Sequence, residues 1–186
     1  VESFLTSTGV VALAEIGDKT QLLALLLALR FRKPLPIIAG ILIATLLNHS
    51  LAGALGAWIT TVVPAHVLRW ILAGSFLVMA IWALIPDTLD ANEAVPESGG
   101  SRVFVVTFVA FFLAEIGDKT QVATIAMAAH YPEVVLVVAG TTLGMLIADV
   151  PAVFAAEKIA TRVPLKLIRG IAAAMFVALA LLTLLR

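Results

Sequence analysis

Apolar residues run through this chain in long blocks, and the polar residues gather mostly at the seams between them. Several blocks exceed the roughly 18 apolar residues that suffice for a helix to cross a bilayer. The pattern predicts six such spans, at about 4–29, 36–61, 66–85, 103–129, 133–156 and 165–185, with ends good to a few residues. Proline marks the seams: Pro34 and Pro36 stand before the second span, Pro64 before the third, Pro132 before the fifth and Pro164 before the sixth, while Pro86 follows the third. Proline lacks the amide proton a helix interior needs, so it belongs where a helix starts or stops.

Composition points the same way. The chain is 62% hydrophobic and 13% charged, too few charges for an ordinary soluble domain. The expected fold class is an all-α integral membrane protein, divided into residues 1–86, an acidic linker at 87–102, and residues 103–186. The polar stretch PDTLDANEAVPESGGSR reads as a solvated connector; its acids Asp87, Asp90, Glu93 and Glu97 could otherwise hold a regulatory cation. With Glu15, Asp18 and Lys19 inside it, the first span is too long and too polar for the apolar core of a signal peptide. The chain opens on Val1 rather than Met, which leaves room for a native leader. The absence of cysteine excludes disulfides and thiolate metal sites. A formal net charge of zero offers nothing to a nucleic acid.

Inside the apolar blocks one polar motif occurs twice. LAEIGDKTQ fills residues 13–21 and returns, letter for letter, at 113–121. The same shift superposes Ala39-Gly40 on Ala139-Gly140, Val63-Pro64 on Val163-Pro164, Arg69 on Arg169 and Phe76 on Phe176. The repeated unit is therefore three helices long. Because three is odd, the second copy must enter the membrane from the opposite face. Six transmembrane helices as two inverted three-helix repeats is the predicted architecture, and transporters so built carry their site at the midplane, where the repeats meet. Both motifs fall near the middle of their spans.

Orientation follows from the basic residues in the connections. One side holds Arg30, Arg32, Lys33, Arg102, Lys158, Arg162, Lys166 and Arg169; the other holds only Arg69 and Arg186. Both termini are thus expected on the non-cytoplasmic side. Trp58, Trp70 and Trp82 suit either interface anchors or packing.

In a continuous helix Glu15, Asp18 and Lys19 would share a face, as would Glu115, Asp118 and Lys119. Gly17 and Gly117 permit either close approach of another backbone or local opening of the helix. An ionisable group at the bilayer centre costs at least about 2.5 kcal/mol, so this cluster needs compensation. If each lysine merely neutralised neighbouring acids and locked helices together, four carboxylates against two lysines would still leave two negative charges. A divalent cation supplies that balance. Carboxylates suit Ca²⁺, Mg²⁺ and Mn²⁺, and Gln21, Gln121, Thr20 and Thr120 add neutral oxygens nearby. The expected ligands are Glu15, Asp18, Glu115, Asp118, Gln21 and Gln121, with Lys19, Lys119, Thr20, Thr120, Asn48, His49 and Asp149 as accessory positions. His49 and Asp149 correspond under the repeat shift but differ chemically. Pro151 cannot donate to the Ile147 carbonyl and should free an oxygen beside Asp149. Gly140 and Gly144 read as a close-packing seam, and Met79, Met127, Met145 and Met175 as apolar filler.

The doubled E-I-G-D-K-T, each copy in the first helix of a three-helix repeat with an acidic linker between, resembles the E-x-G-D-K-T/S membrane family. That family includes bacterial manganese exporters and Golgi calcium/manganese transporters that exchange the metal for protons. The resemblance covers nearly the whole chain. It implies that Glu15, Asp18, Glu115 and Asp118 form the cation site of a secondary transporter working by alternating access, with Mn²⁺ favoured and Ca²⁺ the alternative. The ion is then cargo, and no prosthetic group or enzyme activity is expected. The implied setting is a bacterial plasma membrane, with protons and the bilayer as partners and a homo-oligomer admitted. Lys19 and Lys119 gain no role from the resemblance, and His49 and Asp149 lie outside its motif. Cation binding needs the carboxylate form and so displaces protons, which makes exchange the natural coupling. Two other classes compete. A metal-dependent enzyme acting on lipid pyrophosphates should add arginine for the phosphates, yet the only arginines within the predicted spans, Arg69 and Arg169, sit near their ends rather than beside the acids. An amino-acid exporter could pair a lysine with the substrate carboxylate, but needs fewer acids.

Overall fold

The structure, a computed structural model, describes residues 1–85, 102–154 and 165–185, without the side chains of 165–169. The acidic linker and the basic residues Lys158, Arg162 and Arg186 lie outside the described residues. Eight helices make up the regular structure among those residues: α1 (Glu2–Glu15), α2 (Lys19–Phe31), α3 (Pro34–Val62), α4 (Ala65–Ala83), α5 (Val103–Glu115), α6 (Lys119–His130), α7 (Val134–Phe154) and α8 (Leu165–Leu185). Pro34 opens the first turn of α3 and Pro64 caps α4. Both are positions where a missing amide proton costs nothing.

Two predicted spans are interrupted. The first, at 4–29, is two helices meeting at Ile16–Asp18, and the fourth, at 103–129, is two helices meeting at Ile116–Asp118. Each half-helix is 12 to 14 residues long, or about 20 Å, well short of the ~30 Å hydrocarbon core. By length and composition three helices, α3, α4 and α7, could each cross a membrane among the described residues. Leucine, isoleucine and valine cover much of the outer surface, and Trp58 and Trp70 point outward with them. Trp82 packs on the core instead. Exposed apolar area on this scale belongs against lipid.

The breaks are held by helices of the other half. α1 lies against α7, where a Cβ on Gly144 would stand 2.7 Å from the Thr8 carbonyl oxygen and 2.9 Å from the Ala12 nitrogen. Gly140 likewise faces Phe4 and Ser7, while Gly40 of α3 faces Phe104 and Thr107 of α5. Phe4 and Phe104, Ser7 and Thr107, and Gly140 and Gly40 are corresponding positions of the repeat, so one contact is made twice with the halves exchanged. The glycine seam expected at Gly140 and Gly144 is therefore close packing. α4 and α8 meet through Phe76 and Phe176, both buried, and Met79, Met127 and Met145 fill the same core.

Candidate cation site

Each break turns on one glycine. Gly17 has φ of 81° and Gly117 of 76°, the left-handed region that a Cβ disfavours. Of the two roles the sequence allowed these glycines, the structure uses local opening, since a Cβ on Gly117 would meet nothing within 4 Å. Ile16 and Ile116 leave the helix in extended conformation, and Asp18 and Asp118 cap the next one with nearly identical angles, φ −84° and ψ 169° against −76° and 163°. Opening a helix strands backbone groups, and the motif supplies partners. The Gln21 Oε1 accepts from the Gly17 amide at 2.9 Å, and the Gln121 Oε1 from the Gly117 amide at 2.8 Å.

At the opened turns the acids converge. Glu15, Glu115 and Asp118 each offer a carboxylate oxygen, and the three oxygens lie within 4.8 Å of one another. All three residues are buried, with Glu15 and Glu115 fully so. Thr20 donates to the Glu15 Oε2 at 2.5 Å and Thr120 to the Glu115 Oε2 at 3.1 Å. Among the described residues, Glu15 Oε1, Glu115 Oε1 and Asp118 Oδ2 are buried without a hydrogen-bond partner. Three buried carboxylates, each with an oxygen within 4.8 Å of the other two, are a costly arrangement unless a cation or protons share them.

Asp18 stands apart from that trio. The Lys119 Nζ donates to its Oδ1 at 2.5 Å, across the halves. The reciprocal pair, Lys19 Nζ to Asp118 Oδ1, is longer at 3.6 Å. In a continuous helix each lysine would have lain beside the acids of its own motif. The break turns both across the interface, which no local spacing rule anticipates.

The remaining expected positions sort by what they touch. Gln21 and Gln121, expected as ligands, have their amide oxygens on the opened backbone, while the Gln21 amide nitrogen donates to the Ala148 carbonyl at 2.9 Å. Asn48 donates to the Phe112 carbonyl at 3.1 Å and accepts from Gln121 at 3.5 Å, so it ties down a carbonyl in the last turn of α5. The capping work of Asn48 and the glutamines was not read from the sequence, although an amide beside a helix-opening glycine was the available signal. His49 and Asp149 are fully buried, with no hydrogen-bond partner among the described residues on either ring nitrogen or either carboxylate oxygen. Asp149 follows directly on Ala148, the residue Gln21 reaches, and Pro151 sits inside α7 two residues beyond Asp149.

Comparison with known proteins decides the class. A family model described as the divalent cation/proton antiporter GDT1 matches residues 3–91 and 103–186. The chain belongs to this family. A protein of Vibrio cholerae whose name marks it as a proposed manganese exporter is 53% identical over 93% of this chain and 86% of its own length. The divalent cation/proton antiporter GDT1 of Saccharomyces cerevisiae is 26% identical over 98% of this chain and 83% of its own. A GDT1-like protein of Oryza sativa subsp. indica is 25% identical over 94% and 71%. No solved structure matches. The GDT1 family is one of membrane transporters that exchange divalent cations for protons, with the cation as substrate, as the doubled motif implied.

Proposed function

We propose that this protein exports Mn²⁺ from the cytoplasm in exchange for protons, across a bacterial plasma membrane, with Ca²⁺ as the alternative substrate. One observation carries the site: Glu15, Glu115 and Asp118, drawn from both halves, present buried carboxylate oxygens within 4.8 Å of one another. Such hard oxygen donors match a small divalent cation. The name of the Vibrio cholerae relative favours Mn²⁺. Asp18 belongs to the same site but is held by Lys119 in this conformation.

Six spans in two inverted repeats remain the architecture we favour, each broken pair counting as one span. The exchanged contacts of Gly40 and Gly140 support it, as do the matching backbone angles at the two breaks. Discontinuous helices facing each other are how inverted-repeat transporters build an ion site. Both lysines face aspartates, so neither is offered to the carboxylate of an amino-acid substrate. That weighs against the exporter of amino acids.

The test is direct binding. Mn²⁺ titrated into the protein in nanodiscs should bind the parent, and Glu115→Gln should weaken it at least about 100-fold, since a buried charge-assisted ligand is worth roughly 3 kcal/mol. Unchanged affinity would remove Glu115 from the site.

A further inference from the structure

The two motifs share all nine letters and nearly the same backbone angles, yet their side chains are arranged differently. The Lys119 side chain is 5% exposed and in close contact with Asp18, whereas that of Lys19 is 23% exposed and stands 3.6 Å from Asp118. Ile116 is 54% exposed, while its counterpart Ile16 is half-buried. The nine shared residues cannot themselves cause this difference, so it lies in what surrounds each motif and in how the halves are set against each other. The consequence falls on the cation trio: Asp118, loosely held, joins Glu15 and Glu115, and Asp18, tightly held, does not.

We propose that Lys19 and Lys119 are tethered cations that alternate. When Lys119 holds Asp18, the cation is bound by Glu15, Glu115 and Asp118. In the opposite conformation Lys19 holds Asp118, and Asp18 completes the site. An ammonium and a divalent cation compete for the same carboxylate oxygens, so each lysine withdraws one aspartate and offers it back as the halves move. The lysines are positioning residues, not ligands. They keep the number of carboxylates facing the cation at three in both states, and they neutralise the fourth where water cannot. This rests on the cation-site reading above.

The chain has no native cysteine, so single reporters are clean. Cysteine is placed at Ile16 or at Ile116, each in the parent, in Lys19→Gln and in Lys119→Gln. The labelling rate with a small water-soluble thiol reagent is read in nanodiscs, alongside Mn²⁺ binding. Lys119→Gln removes the contact that holds the present arrangement. It should raise labelling at 16 and lower it at 116 by about tenfold, the factor expected for a lost charge-assisted hydrogen bond. Lys19→Gln should shift both the other way. Lys119→Arg keeps the charge and should keep the parent pattern. The double exchange Asp18→Lys with Lys119→Asp rebuilds the pair in reverse and should restore the pattern if Lys119→Gln fails to fold. Reporters that move together, or not at all, while Mn²⁺ still binds would overturn the alternation and leave the site standing. A parent protein that binds no Mn²⁺ would overturn the site itself.

Discussion

Lys119 is the residue whose environment departs furthest from what its place in the sequence suggests. It is buried and held against Asp18 of the other half, and removing one member of a buried ion pair costs about 3–5 kcal/mol because the other charge is left uncompensated. Lys119→Ala should therefore lower the unfolding temperature more than Lys19→Ala, whose pair is longer and partly exposed. Added Mn²⁺ should recover much of the loss by neutralising the freed aspartate. Scanning unfolding of both variants with and without metal checks this, and equal destabilisation would contradict it. The acids themselves were legible from the sequence, because ionisable groups inside an apolar block demand a reason. Their partners were not, since a lysine one position from an aspartate gives no hint that it reaches across to the aspartate of the other motif.

Among the elements, α3, α4 and α8 follow the hydrophobic blocks closely, because an uninterrupted apolar run bounded by proline has one low-energy answer in lipid. The first and fourth spans do not, because Gly17 and Gly117 take positive φ and the motif carries its own caps in Gln21 and Gln121. A glycine within an apolar run left two outcomes open, and only the packing of α1 on α7 and α5 on α3 selects opening. Two substitutions separate these roles. Gly117→Ala meets no neighbour, so its cost should be the backbone strain alone, about 1–2 kcal/mol. Gly144→Ala would press a methyl onto the Thr8 carbonyl and the Ala12 nitrogen and should cost about 1–3 kcal/mol by forcing α1 and α7 apart. Unfolding measurements should show Gly117→Ala impairing transport beyond its effect on stability, and Gly144→Ala impairing both in step.

For the whole molecule, the two halves exchange contacts about one interface, and the candidate cation cluster draws carboxylates from both. The basic-residue count predicts which way the assembly faces. Cysteine at Glu2 should label from outside intact cells with an impermeant reagent, and cysteine at Lys33 should not; the reverse result would invert the topology. A cation site was legible because a doubled motif of four acids and two lysines leaves a charge that a divalent cation balances, and the transporter class was legible through the resemblance that the same motif carries. In transport that cation is exchanged for protons. Proteoliposomes carrying an internal pH dye, given a Mn²⁺ gradient and no other ion gradient, provide the direct measurement. Inward Mn²⁺ movement should drive protons out and raise the internal pH, because the ligating form is the carboxylate, and Glu15→Gln should abolish both fluxes. Mn²⁺ entry with no opposing proton flux would contradict exchange and make the protein a channel or uniporter.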